Sequence, residues 1–65
     1  MNDLYQVNEL NNLLGLDDLL CADVQNAIDS AVDLCEEYTE NVFGIWQDET
    51  LLYIVFEGEV FARQG

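Results

Sequence analysis

Residues 23–41 read DVQNAIDSAVDLCEEYTEN. At 100° per residue, Val24, Ile28, Ala31, Cys35, Tyr38 and Val42 fall within about 40° of one direction, and Ala27 and Leu34 widen the stripe. Asp29, Asp33, Glu36, Glu37 and Glu40 gather on the other side. The spacing predicts an amphipathic helix with a wholly acidic wet face. No Lys or Arg is interleaved in it.

Surface helices usually mix signs, because like charges three or four residues apart repel. The pairs 29/33, 33/37, 36/40, 33/36 and 37/40 all have that spacing, and at roughly 0.2–0.5 kcal/mol each they cost about 1–2.5 kcal/mol. Glu36, Glu37 and Glu40 also crowd the predicted last turns, where the helix dipole favours cations. Net stability in a small domain is only about 3–10 kcal/mol. A local rule broken at that cost points to a functional surface. The bland alternative is an acidic face kept for solubility.

On the N-terminal side, residues 2–14 are expected to be helical. Asp3 is placed to cap the first turn with Gln6 reaching back, Val7, Leu10 and Leu14 share a face, and Gly15 is a natural stop. Residues 16–22 are ambiguous. Asp17 suits a short turn, and the main helix starts either at an Asp23 cap or nearer Asp17. On the C-terminal side the period changes to two. Residues 42–47, 51–56 and 60–63 read as three strands, separated by Asp48-Glu49-Thr50 and by a tight turn in which Gly58 supplies positive φ. Residues 51–56, LLYIVF, are apolar on both faces, so they should form a central strand covered on both sides. The long helix covers one face, leaving the other to the first helix or to a second copy of the chain. Gly44 is either a helix-ending residue or a point of close approach in the first strand. The expected fold is therefore α+β: one or two N-terminal helices, then a three-stranded antiparallel meander with the long amphipathic helix packed on it. Residues 1–65 make one small domain.

Fourteen acids face one base, Arg63, with no Lys and no His, giving a net charge of −13. About half the residues are apolar (51%), which argues against disorder. Such a surface avoids nucleic acid and anionic membranes and associates quickly with basic partners; halophilic adaptation is the compositional alternative. No run of residues is apolar enough to span a bilayer, and the acidic start Met1-Asn2-Asp3 does not suit a signal peptide. Cys21 and Cys35 are expected to be buried reduced thiols, which favours a cytoplasmic setting.

Catalysis finds few tools here. The common bases and imine-forming amines are missing, and neither cysteine has a His or cation beside it in sequence to lower its pKa. Asp17-Asp18 and Glu36-Glu37 lack the spaced loop of a calcium site. The chain is expected to have no enzymatic activity, cofactor or metal. Phe43, Trp46, Tyr53 and Phe61 read as core before ligand platform, although an exposed Trp46 would suit an interface. The acids suggest something else. Asp29 to Glu40 covers roughly 16 Å of helix axis, or about one carboxylate per 4 Å, close to the 3.4 Å per phosphate of one DNA strand. Asp48, Glu49, Glu57 and Glu59 are candidate extensions of that row.

In size, acidity and α-then-β order the whole chain resembles the small acidic anti-CRISPR proteins of phages that block type I surveillance complexes by imitating DNA, type I-C inhibitors in particular. The resemblance implies a phage protein in the bacterial host cytoplasm. It would bind the basic DNA-entry or PAM-reading surface of the Cas subunits and stop target DNA from binding, with Asp29, Asp33, Glu36, Glu37 and Glu40 as the contact residues. Two other readings use the same sequence. One is an immunity protein or antitoxin that neutralises a basic nuclease or toxin. The other is an interaction domain that uses the apolar strand 51–56. The chain is expected to be a monomer or a homodimer.

Overall fold

The computed structural model describes residues 4–11 and 15–63. Its elements are β1 (Tyr5–Glu9), β2 (Leu19–Cys21), α1 (Val24–Glu37), β3 (Phe43–Gln47), β4 (Thr50–Phe56) and β5 (Glu59–Ala62). All strands pair antiparallel in one sheet of order β2-β1-β3-β4-β5, and α1 packs on one face of it. Because β2 and β3 both run antiparallel to β1, they are parallel to each other. The unit β2-α1-β3 is thus a split βαβ crossover with β1 threaded between its strands.

This corrects the expected fold. Residues 5–9 are a strand where a first helix was expected, and the meander β3-β4-β5 supplies three strands of a five-stranded sheet. The cause lies in pairing. Tyr5, Val7 and Glu9 alternate toward the helix side, with Val7 fully buried, while Gln6 and Asn8 face the other way. A five-residue strand bonded on both edges satisfies its backbone groups and buries Val7. An N-terminal helix would leave β3 as a bare edge. Leu10 continues that bonding, its N–H donating to Val42 O at 2.9 Å. The Asp3 cap and the Leu14 end of the expected helix lie outside the described residues. Gly15 does have positive φ (+65°), but it serves the β1–β2 connection.

Helix α1 begins where Asp23, in extended conformation, accepts the Asn26 N–H on Oδ1 at 2.8 Å; such a cap contributes about 0.5–2 kcal/mol. Ala27, Ala31 and Cys35 are buried one turn apart, and their small side chains let the helix sit close on Phe43, Ile45 and Val55. The helix ends at Glu37, short of the expected Asn41. Tyr38 closes it by donating its N–H to Leu34 O at 2.8 Å, and its ring packs on Phe43 with centroids 6.5 Å apart. Continuing would have put a third carboxylate, Glu40, at the negative end of the helix dipole with no cation to offset it. Asn41 instead donates from Nδ2 to Glu9 Oε2 at 2.6 Å, tying the exit loop to β1.

Both meander turns are two residues long with positive φ throughout: Asp48 (50°) and Glu49 (68°), then Glu57 (54°) and Gly58 (78°). That is the type I′ geometry whose twist matches a hairpin. The β3–β4 register slips between Ile45 and Trp46, so Ile45 faces Tyr53 while Trp46 faces Leu51, and Leu52 is the bulged residue. Cys21 and Cys35 are both free and buried, one in β2 and one in α1.

Candidate functional site

The helix turns its acids away from the sheet. Asp29, Asp33, Glu36 and Glu37 are all exposed on α1. At 100° per residue these four fall within an arc of about 100°, and they span about 12 Å of axis at 1.5 Å per residue, one carboxylate per roughly 4 Å. Gln25 donates to Asp29 from Nε2 at 3.1 Å. The chain's one cation, Arg63, lies just past β5, where it shares a hollow with Tyr5, Val24 and Ala62 at the end of the sheet on which α1 begins. Glu36 and Glu37 are at the other end of the helix, so the acidic face has no internal counter-charge.

The remaining candidate acids occupy different places. Glu40 is exposed in the turn after α1, so it follows the helical row without belonging to it. Glu57 and Glu59 sit at the β4–β5 turn, at the end of the sheet where α1 finishes, as the contact of Cys35 Sγ with Val55 O at 3.5 Å indicates. Asp48 and Glu49 form the β3–β4 turn at the opposite end. The structure therefore brings Glu36, Glu37, Glu40 and Glu57 to one end of the molecule and keeps Asp48 and Glu49 apart from them.

Two further features lie outside the acidic row. Glu9, which had no signal in the local pattern, is a buried carboxylate, 7% exposed, and its bond to Asn41 crosses 32 residues of sequence. The face of the sheet away from α1, signalled in part by the doubly apolar residues 51–56, is the second. By register it carries Leu20, Trp46, Leu51, Ile54, Phe56 and Phe61, with Gln6 and Asn8 between them and Glu59 at its edge. Leu20 is 66% exposed and Phe61 50%. The Leu10 and Leu51 side chains and the Trp46 ring close over Gly44, where a Cβ would lie 2.7, 2.9 and 3.0 Å from them; Trp46 Nε1 donates to Asn8 Oδ1 at 2.9 Å. Gly44 is thus the point of close approach in β3.

Among the described residues no three His, Cys, Asp or Glu side chains are grouped to hold a metal ion, and no helix is long and apolar enough to cross a membrane. Fold and surface together define a small two-layer α+β protein, with an anionic helix on one side and an apolar sheet face on the other. No protein-family model, curated protein or solved structure matches the chain.

Proposed function

We propose that the protein is a stoichiometric inhibitor whose acidic helix occupies a basic DNA-binding surface, in the manner of the phage anti-CRISPR proteins that act on type I crRNA-guided complexes. The observation that carries this reading is the four-carboxylate face of α1, exposed and without an internal cation, at an axial spacing close to that of phosphates. A rigid helix presents these charges already ordered, so little entropy is lost when a positively charged groove receives them. Long-range attraction between a −13 chain and a basic groove also speeds the encounter. The likeness to the anti-CRISPR proteins rests on size and acidity; the α-then-β order does not contribute, since the element order is ββαβββ.

The test is target-DNA binding by a purified type I surveillance complex titrated with the protein, with Asp33→Lys and Glu37→Lys as variants. Inhibition should reach completion near one equivalent per site, weaken with added salt, and fall at least about tenfold for each variant, the loss of one to two kcal/mol expected when a buried charge contact is reversed. Variants as potent as the parent would remove α1 from the contact. Protection of cells from a co-expressed basic nuclease, with no effect on the surveillance complex, would move the reading to an immunity protein or antitoxin using the same face.

A further inference from the structure

The sheet face opposite α1 is the largest feature that the acidic helix leaves unused. Its strands hold only two acids among the described residues: Glu9, which faces the helix side, and Glu59, which lies opposite Phe56 on this face at the edge strand β5. At the other edge Gln6 donates to Asp18. The middle of this face is apolar, and the four exposed helix acids lie on the far side of the sheet. We propose that this face is the interface between two copies of the chain, packed sheet to sheet.

Two arguments select a second copy as the occupant. The first is area. Five strands of three to seven residues offer about 400 Å² in projection, and with the relief of Trp46, Leu51, Phe56 and Phe61 a stacked pair approaches the roughly 1,000 Å² total of a specific interface. The second is charge. A basic partner drawn to α1 is drawn to the wrong side of the sheet, since the charges of this face, Asp18, Glu49, Glu59 and Arg63, lie only around its margin. In a stacked pair both acidic helices point outward. Sheets about 10 Å apart, with a helix of about 10 Å diameter on each outer side, separate the two helix axes by about 30 Å. That is about three Debye lengths at 0.1 M salt, so the repulsion between the two helix faces is largely screened. Asp18, Asp48, Glu49, Glu57 and Glu59, at the turns and edges of the sheet, lie nearer the interface, and theirs is the repulsion that added salt relieves. The assembly would display two acidic faces back to back.

The experiment is sedimentation velocity across a concentration series at about 0.05 M and about 0.5 M NaCl, for the parent chain and three variants. Phe61→Asp and Leu20→Asp place a charge at the two most exposed apolar positions of the face, on opposite edge strands, where the fold is least at risk; Val60→Asp changes the helix side of β5. The parent should form a dimer whose affinity rises about tenfold with salt, opposite in sign to the salt response of a partner bound through the acids. Phe61→Asp and Leu20→Asp should each weaken it at least about tenfold with unchanged circular dichroism, and Val60→Asp should not. A monomer at every concentration and salt overturns the proposal. So does a dimer indifferent to Phe61→Asp and Leu20→Asp, or one lost equally with Val60→Asp, which would mean pairing of β5 edges. Because none of these variants changes a residue of α1, this outcome is independent of whether the helix acids bind a basic groove.

Discussion

At Asp48 and Glu49 the chain adopts left-handed backbone (φ 50° and 68°) without glycine, whereas the equivalent second position of the other hairpin is Gly58 (φ 78°). Left-handed backbone costs a residue with a Cβ roughly 1–2 kcal/mol, less for Asp than for Glu. Glu49→Gly should therefore raise stability by about 0.5–1 kcal/mol, the relief partly offset by the greater freedom glycine has when unfolded. Gly58→Ala should lower it by about 1 kcal/mol. Urea midpoints read both, and Glu49→Gln separates the backbone effect from loss of a charge. A Glu49→Gly midpoint no higher than that of Glu49→Gln would mean that the turn holds no strain. Glycine in sequence marks the second turn because only the backbone requirement explains it there. Nothing in Asp48-Glu49 announces the same geometry, which is imposed by the two-residue link between paired strands.

At the scale of elements, the helix was legible because its determinants are local: the Asp23 cap, small and apolar residues one turn apart, and acids on the remaining arc. Strand β1 was not. Tyr5 to Glu9 does alternate, but Glu9 at an inward position and the leucines that follow equally suit a broad helical stripe. What decides for the strand is pairing with residues 19–21 and 43–46, remote in sequence. The shortened helix also changes the cost of its acids. With Glu40 outside, the like-charge pairs are 29/33, 33/37 and 33/36, about 0.6–1.5 kcal/mol together, with Glu36 and Glu37 still at the negative end of the dipole. Glu37→Lys should thus stabilise the fold by about 0.5–1.5 kcal/mol, turning a repulsive pair with Asp33 attractive and complementing the dipole. The same change should weaken inhibition. Thermal unfolding paired with the DNA-binding assay reads the exchange directly. A variant that gains stability and keeps full inhibition would mark the acids as a solubility device, the reading the sequence leaves open beside the functional one.

For the whole molecule, a net charge of −13 on 65 residues sets the response to salt. Folding concentrates these charges, and screening relieves their repulsion in the compact state more than in the expanded one. Raising NaCl from about 0.02 to about 0.5 M shortens the Debye length from about 20 Å to about 4 Å. The midpoint of thermal unfolding should rise by about 5–10 °C, equivalent to about 1–2 kcal/mol in a chain this short. Tetramethylammonium chloride should act as NaCl does if screening is the cause, whereas bound cations would make the two salts differ. The low-salt limit carries the argument about origin. The core of Val7, Phe43, Ile45 and Val55 under Ala27, Ala31 and Cys35 is fully buried, so the chain should remain folded at about 0.02 M salt, where repulsion is longest in range. Adaptation to brine predicts a chain that unfolds there and needs molar salt to recover. Persistence at low salt, together with a steep rise on screening, would mean that the fold carries its acids at a cost that salt-rich surroundings do not explain. The basic partner proposed above would explain it, and Glu37→Lys separates that reading from the solubility one.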